Sequence, residues 1–167
     1  MQNLRNRRAS GHVSTSKLDY KELLSHCHVG NSVLDVGCGD MHLKKCLPDQ
    51  INYFGLDPFP VDDTVNIWWP IETESIPLKC LAMLSMINTV CAFAVMDGCK
   101  DFNKACHNMQ ILAGTNVIFL TGIGIDPDQY HTLRLELSDF DEAFSGWKNT
   151  VRMEVSPKVW LLEYTRV

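Results

Sequence analysis

The chain has 167 residues, 46% of them apolar, and a net charge of −5 at pH 7. That is enough apolar chain to bury one domain core, and the acidic balance excludes a generally basic nucleic-acid-binding surface. Its seven cysteines, without the tight spacing of a disulfide framework, read as free thiols. With neither a run of ~18 apolar residues nor a signal core behind the N-terminal arginines, they predict a soluble, cytoplasmic protein.

Residues 1–16, MQNLRNRRASGHVSTS, are polar and aperiodic and predict a flexible N-terminal arm ahead of one domain over 17–167. Arg5, Arg7, Arg8, Lys17 and Lys21 face only Asp19 in the first 21 residues. The arm reads either as a solvated tail or as a grip on phosphate. Leu18, Leu23 and Leu24 among polar residues predict an amphipathic helix over 17–29, capped by Ser14 or Ser16 and ended by Gly30-Asn31. In SVLDVGCGD (32–40), a short apolar run around Asp35 stops at Gly37-Cys38-Gly39. Such a run is a buried parallel strand, and glycines after it turn tightly with no Cβ to block a ligand. A short helix over 40–47 would begin with Asp40 at its positively polarised end. INYFGLDPFP (51–60) is a second strand ending at Asp57 and halted by Pro58.

Further along, 64–69 reads as a third strand closed by Pro70, and 71–78 as a loop. LAMLSMINTV (81–90) is a second continuous apolar run, a fourth strand with Ser85 to Asn88 near its carboxyl end. Phe102, Ala105, Met109 and Leu112 predict a helix over 101–112, ended by Ala113-Gly114. A fifth strand spans 116–120, and the turn-rich loop 122–130 beyond it is placed for substrate contact. The last two strands, 150–154 and 159–164, form a hairpin turning near Ser156-Pro157. There is no internal repeat, low-complexity tract or linker.

With the first two strands side by side, Asp57 projects beside the glycine turn, at the edge where open α/β sheets bind ligands. A carboxylate there can accept two hydrogen bonds from the paired hydroxyls of a ribose. The dinucleotide fingerprint would need glycine at position 42, where the chain has His42. Asp35 and Asp40 around the turn would repel a pyrophosphate and attract an amine and a sulfonium. VLDVGCGD resembles motif I of the class I S-adenosylmethionine-dependent methyltransferases, and YFGLDPF resembles their motif II. The chain departs from that family in carrying Met41 where a third glycine is usual.

The resemblance implies a doubly wound, mostly parallel seven-stranded α/β sheet with an antiparallel edge strand and helices on both faces. It implies S-adenosylmethionine as cofactor, held by Asp35, Gly37, Cys38, Gly39, Asp57 and Pro58. The loop ETESIPL resembles the family's acid-x-acid-x-Leu-Pro-Phe loop, which would set Glu72 to accept from the adenine amine with Ile71 flanking the ring. The same loop also reads as an ordinary polar connection. Ser85 would face the methyl donor from the fourth strand, whose usual opening acid is replaced by Leu81 or Ala82. ILAGTNVIFL resembles the passage into the family's fifth strand. HTLRLELSDFDEAF resembles its C-terminal His-x-x-Arg pattern, with Ser138 and Asp141 as a capping box.

Methyl transfer asks mainly for orientation, and a hydroxyl acceptor also needs a base. His131 is the candidate base, with a structural hydrogen bond as the alternative role; Asn88, Tyr130 and Arg134 are candidate substrate contacts. No metal site is expected. Cys38, His42 and Cys46 lie four residues apart, without a Cys-x-x-Cys pair. Trp68-Trp69 could stack a ligand or close a strand end. Three functions are open: a methyltransferase acting on a small-molecule hydroxyl or amine, an RNA or cap methyltransferase using the basic arm, and a cofactor-binding pseudo-methyltransferase subunit. The oligomeric state is not readable.

Overall fold

Four short apolar runs become adjacent parallel strands in the computed structural model, which describes residues 18–59, 67–83, 85–129 and 131–167. They are β1 (Ser32–Val36), β2 (Asn52–Leu56), β3 (Thr89–Phe93) and β4 (Asn116–Gly122). β1 and β3 are buried along their whole length, as strands covered on both faces must be. β5 (Trp147–Ser156) and β6 (Val159–Arg166) complete a six-stranded sheet in the order β2-β1-β3-β4-β6-β5. Side chains alternate across it. Leu34, Val90, Ala92, Val117 and Phe119 pack on one face with α4 (Phe102–Leu112) and α5 (Leu137–Ala143). Val33, Cys91, Phe93, Ile118 and Leu120 pack on the other with Tyr20, Leu23 and Leu24 of α1 (Tyr20–Leu24) and Leu43 of α2 (His42–Cys46). Among the described residues, no helix is long and apolar enough to cross a membrane.

Several expectations are corrected. The described sheet has six strands, not seven. Of the expected third strand, residues 64–66 fall outside the described residues, and Ile67 makes one parallel bridge to Leu56. The antiparallel strand is not at the edge: β6 runs antiparallel between β4 and β5. The run at 81–90 is not one strand either. Its first three residues belong to α3 (Leu78–Met83), and the strand starts only at Thr89. Two apolar stretches lie back to back there, and periodicity alone does not separate a buried helix from a buried strand.

The caps shift as well. Asp19 caps α1, accepting from Lys21 N (2.9 Å) and Glu22 N (3.2 Å), whereas Ser14 and Ser16 lie outside the described residues. The reciprocal box of α5 is Glu136 with Asp139, not Ser138 with Asp141, because the helix begins at Leu137. Asp101 caps α4 through Lys104 N (2.9 Å).

Candidate active site

The chain passes from β1 to β2 on one side and returns to β3 on the other, so the order reverses beside β1. A crevice opens at the carboxyl ends of strands where this happens. Here it is a cleft of about 320 Å³, lined in part by Gly37, Gly39, Asp57, Phe59, Glu72 and Asp97.

The glycine turn is built by backbone hydrogen bonds. Gly37 N and Cys38 N both donate to Leu56 O, at 2.7 and 3.2 Å, which ties the turn after β1 to the end of β2. Gly37 has φ +70, and a Cβ added to it would stand 2.5 Å from Val95 Cγ2. Only glycine satisfies both demands. Gly39, at φ +54, donates its N–H to Asp57 Oδ2 at 2.9 Å, while Phe59 N donates to Oδ1 at 2.7 Å. Asp57 is therefore held by the turn on one oxygen and by its own loop on the other. Each oxygen has two lone pairs, so the same carboxylate can still accept from a vicinal diol. Met41, the residue in place of the usual third glycine, has φ +56. The chain keeps the left-handed bend that favours glycine and places a side chain on it.

Asp35 lies under the turn, 3% exposed, and accepts from the Tyr53 hydroxyl at 2.6 Å. Burial pushes its carboxyl up to about 7; the tyrosine bond opposes this, and Asp57 and Asp40 add to it. Pro58 and Ile71 line the cleft. Glu72 also lines it, and its Oε2 accepts from Lys100 N (2.5 Å) and Asp101 N (3.2 Å). Cys38 is buried beneath the turn, where a Cβ on Gly55 would stand 2.9 Å from its sulfur. Trp69 is in the core, and Trp68 is exposed.

Two residues expected here lie elsewhere. Because the strand starts at Thr89, Ser85 and Asn88 precede β3 and sit at the amino edge of the sheet, opposite the cleft. Asn88 N donates to Ser32 Oγ (2.9 Å), and its carbonyl accepts from Thr115 N (2.9 Å). Tyr130 is outside the described residues. Arg134 is half exposed and pairs with Glu136 (2.8 Å) and Asp126 (2.5 Å), both on its own loop.

His131 is buried, with Nδ1 2.9 Å from Asp128 Oδ1 and Nε2 3.4 Å from Asp97 Oδ2. It reaches the cleft through Asp97, the residue that sequence reasoning missed. Asp97 follows β3 in a one-turn 3-10 helix (Met96–Gly98), and its carbonyl accepts from Thr132 N (2.7 Å) and Leu133 N (2.9 Å). Burial raises its carboxyl above the usual carboxylate range, against the opposing pull of His131 and of backbone N–H groups at Asp97 and Gly98. The signal was present in the apolar run 89–96, which stops one residue short of it.

No family model matches the chain, and no curated protein matches it in sequence. Solved structures do resemble it. A 1,6-didemethyltoxoflavin-N1-methyltransferase from Burkholderia thailandensis, with bound 1,6-didemethyltoxoflavin and S-adenosylhomocysteine, superposes with a TM-score of 0.67 at 11% identity over 98% of this chain and 83% of that one. A magnesium protoporphyrin IX methyltransferase from Synechocystis with bound S-adenosylmethionine gives 0.65 at 14% identity, covering 99% and 90%. A S-adenosylmethionine-dependent methyltransferase from Aquifex aeolicus gives 0.62 at 11% identity, covering 89% of each chain. The chain has the fold of the class I S-adenosylmethionine-dependent methyltransferases.

Proposed function

We propose that the protein is an S-adenosylmethionine-dependent methyltransferase acting on a small molecule. The observation that carries this is Asp57, anchored to the glycine turn through Gly39 N at the reversal point of the sheet. Asp57 would hold the ribose of the cofactor, and Gly37, Ile71 and Glu72, which line the same cleft, would contact the rest of it. The carboxylates that line the cleft, Asp57, Glu72 and Asp97, favour a ligand carrying an ammonium and a sulfonium over one carrying a pyrophosphate. When bound, the cofactor supplies an activated methyl group, and the chain's own residues orient it and the acceptor.

A small acceptor is favoured by the charge of the site. Asp57, Glu72 and Asp97 line the cleft, and no Lys or Arg is among its described lining residues. A polyanionic RNA would meet repulsion there, without the phosphate contacts that dominate nucleic-acid affinity. The test is calorimetry with S-adenosylmethionine, S-adenosylhomocysteine and NAD. Binding of both adenosyl ligands without a response to NAD is expected, and Asp57→Ala should weaken the adenosyl ligands 10- to 100-fold, the worth of hydrogen bonds to a charged group (about 1.5–3 kcal/mol). Unchanged affinity in that variant would sink the assignment. Methylation of a defined panel of hydroxyl and amine metabolites, compared with a short capped RNA, then separates the acceptor classes.

A further inference from the structure

Both ring nitrogens of His131 point at carboxylates, and a loop is folded to keep them there. His131 N donates to Asp128 Oδ1 at 2.8 Å, and the same oxygen meets Nδ1 at 2.9 Å. Asp128 N in turn donates to His131 O at 3.0 Å. The next two residues, Thr132 and Leu133, clamp the Asp97 carbonyl. On the other side of the ring, Nε2 stands 3.4 Å from Asp97 Oδ2. The arrangement is a carboxylate at the cleft wall backed by an imidazole, which a second carboxylate orients. Asp97 is the member that reaches the cleft: it is one of the lining residues, and its side chain is 14% exposed.

Strand order decides what Asp97 faces. From Asp57 just after β2, across Gly37 just after β1, to the residues after β3 is two strand spacings, about 10 Å. A nucleoside held by its ribose at Asp57 would have the glycine turn and then Asp97 next along the same cleft. We propose that Asp97 is a catalytic residue facing the transferring methyl, that it takes the acceptor's proton, and that His131 is the positioning residue behind it; this rests on the methyl-transfer reading above. A lone pair of the acceptor oxygen or nitrogen forms the bond to the methyl carbon. The C–S bond breaks with its electron pair left on sulfur as a thioether, and the acceptor's proton passes to Asp97. His131, with Nε2 behind Oδ2, holds the Asp97 carboxyl in place, and the proton taken from the acceptor stays on that carboxyl. Besides His131, the titratable groups around Asp97 are Asp128 and the Cys99 thiol.

The test needs no knowledge of the acceptor. Sinefungin is the adenosyl analogue with an ammonium-bearing carbon in place of the methylated sulfur, so its ammonium reports on whatever faces the methyl; S-adenosylhomocysteine has no charge there. Calorimetry on the full chain should show Asp97→Asn weakening sinefungin at least 10-fold while S-adenosylhomocysteine stays within 2-fold. His131→Asn should move the acid limb of the sinefungin pH profile to higher pH, because Asp97 loses the cation that favours its ionised form; a purely structural histidine would not move it. If Asp97→Asn leaves both ligands unchanged or weakens both alike, or if the wild type takes S-adenosylhomocysteine but not sinefungin, the role of Asp97 is overturned and the cofactor assignment stands. If the wild type binds neither ligand, the methyltransferase reading falls and Asp97 with it. Should Asp97→Asn fail to fold, Asp97→Ser keeps an acceptor for the Gly98 N–H and carries the same comparison.

Discussion

The two halves of the sheet are built differently. Around β4, β6 and β5, regularity and aromatic packing dominate. β5 and β6 are ten and eight residues long, and Phe119 meets Phe140, Phe144 and Tyr164 edge-on at centroid distances of 5.0, 5.5 and 6.3 Å. Phe144 also stacks on Tyr164 at 4.8 Å, and the Tyr164 hydroxyl donates to Asp141 at 2.8 Å. Around β2, β1 and β3 the strands and the flanking helices α1 and α2 have five residues each. Gly37, Gly39, Met41 and Ala94 all have positive φ within that half; Asp57 and Asp97 line the cleft at its carboxyl edge, and Asp35 is buried beneath them in β1. In the other half the left-handed residues are confined to a hairpin turn and a loop, at Lys158 and Gly124. Strained backbone and buried acids persist where the rest of the structure over-determines them. The aromatic half supplies the packing, and the glycine half holds the site.

If that division of labour is right, the largest effect belongs to Phe119→Ala. Removing a ring from the centre of the aromatic cluster should cost about 3–5 kcal/mol in chemical denaturation, with S-adenosylhomocysteine affinity of the folded fraction unchanged. An affinity loss would show that the halves are coupled.

The next effect is a pH slope. Asp35 is protonated up to about 7 in the folded chain, against an ordinary carboxyl near 3.8 when unfolded. Between those values the unfolded chain releases a proton that the folded chain retains. Stability should therefore fall as pH rises from about 4 to about 7 and level off above. Thermal melts across that range should show this slope flattened in Asp35→Asn, which still accepts from Tyr53, and unaltered in variants of the aromatic half.

The smallest effect belongs to Met41→Gly. Relief of left-handed strain, set against the greater chain entropy of glycine, should raise stability by about 1 kcal/mol. A loss would mean that the methionine side chain contributes packing that outweighs the backbone cost.

Much of the glycine half was legible in the sequence because its determinants are local. Three apolar residues around an acid, two glycines that must turn and an acid before a proline are local signals, and they place β1, the turn and Asp57 without reference to anything distant. The sequence also carried the hairpin, through strand-like runs about a turn, and α4, through apolar residues at helical spacing ended by Ala113-Gly114. It did not show where β3 begins. An apolar helix and an apolar strand adjoin at 78–93, and only pairing with β1 and β4 selects Thr89 as the start, which moved Ser85 and Asn88 to the far edge.

Tertiary structure alone decided the insertion of β6 beside β4, since strand order is set by which faces pack and not by chain order. It also decided the pairing of Asp97 with His131. Thirty-odd residues separate the two, and the contact exists only because the loop after β4 folds back onto the carbonyl of the turn after β3. What the residues specify through their immediate neighbours could be read directly; what depends on a distant segment arriving in register could not.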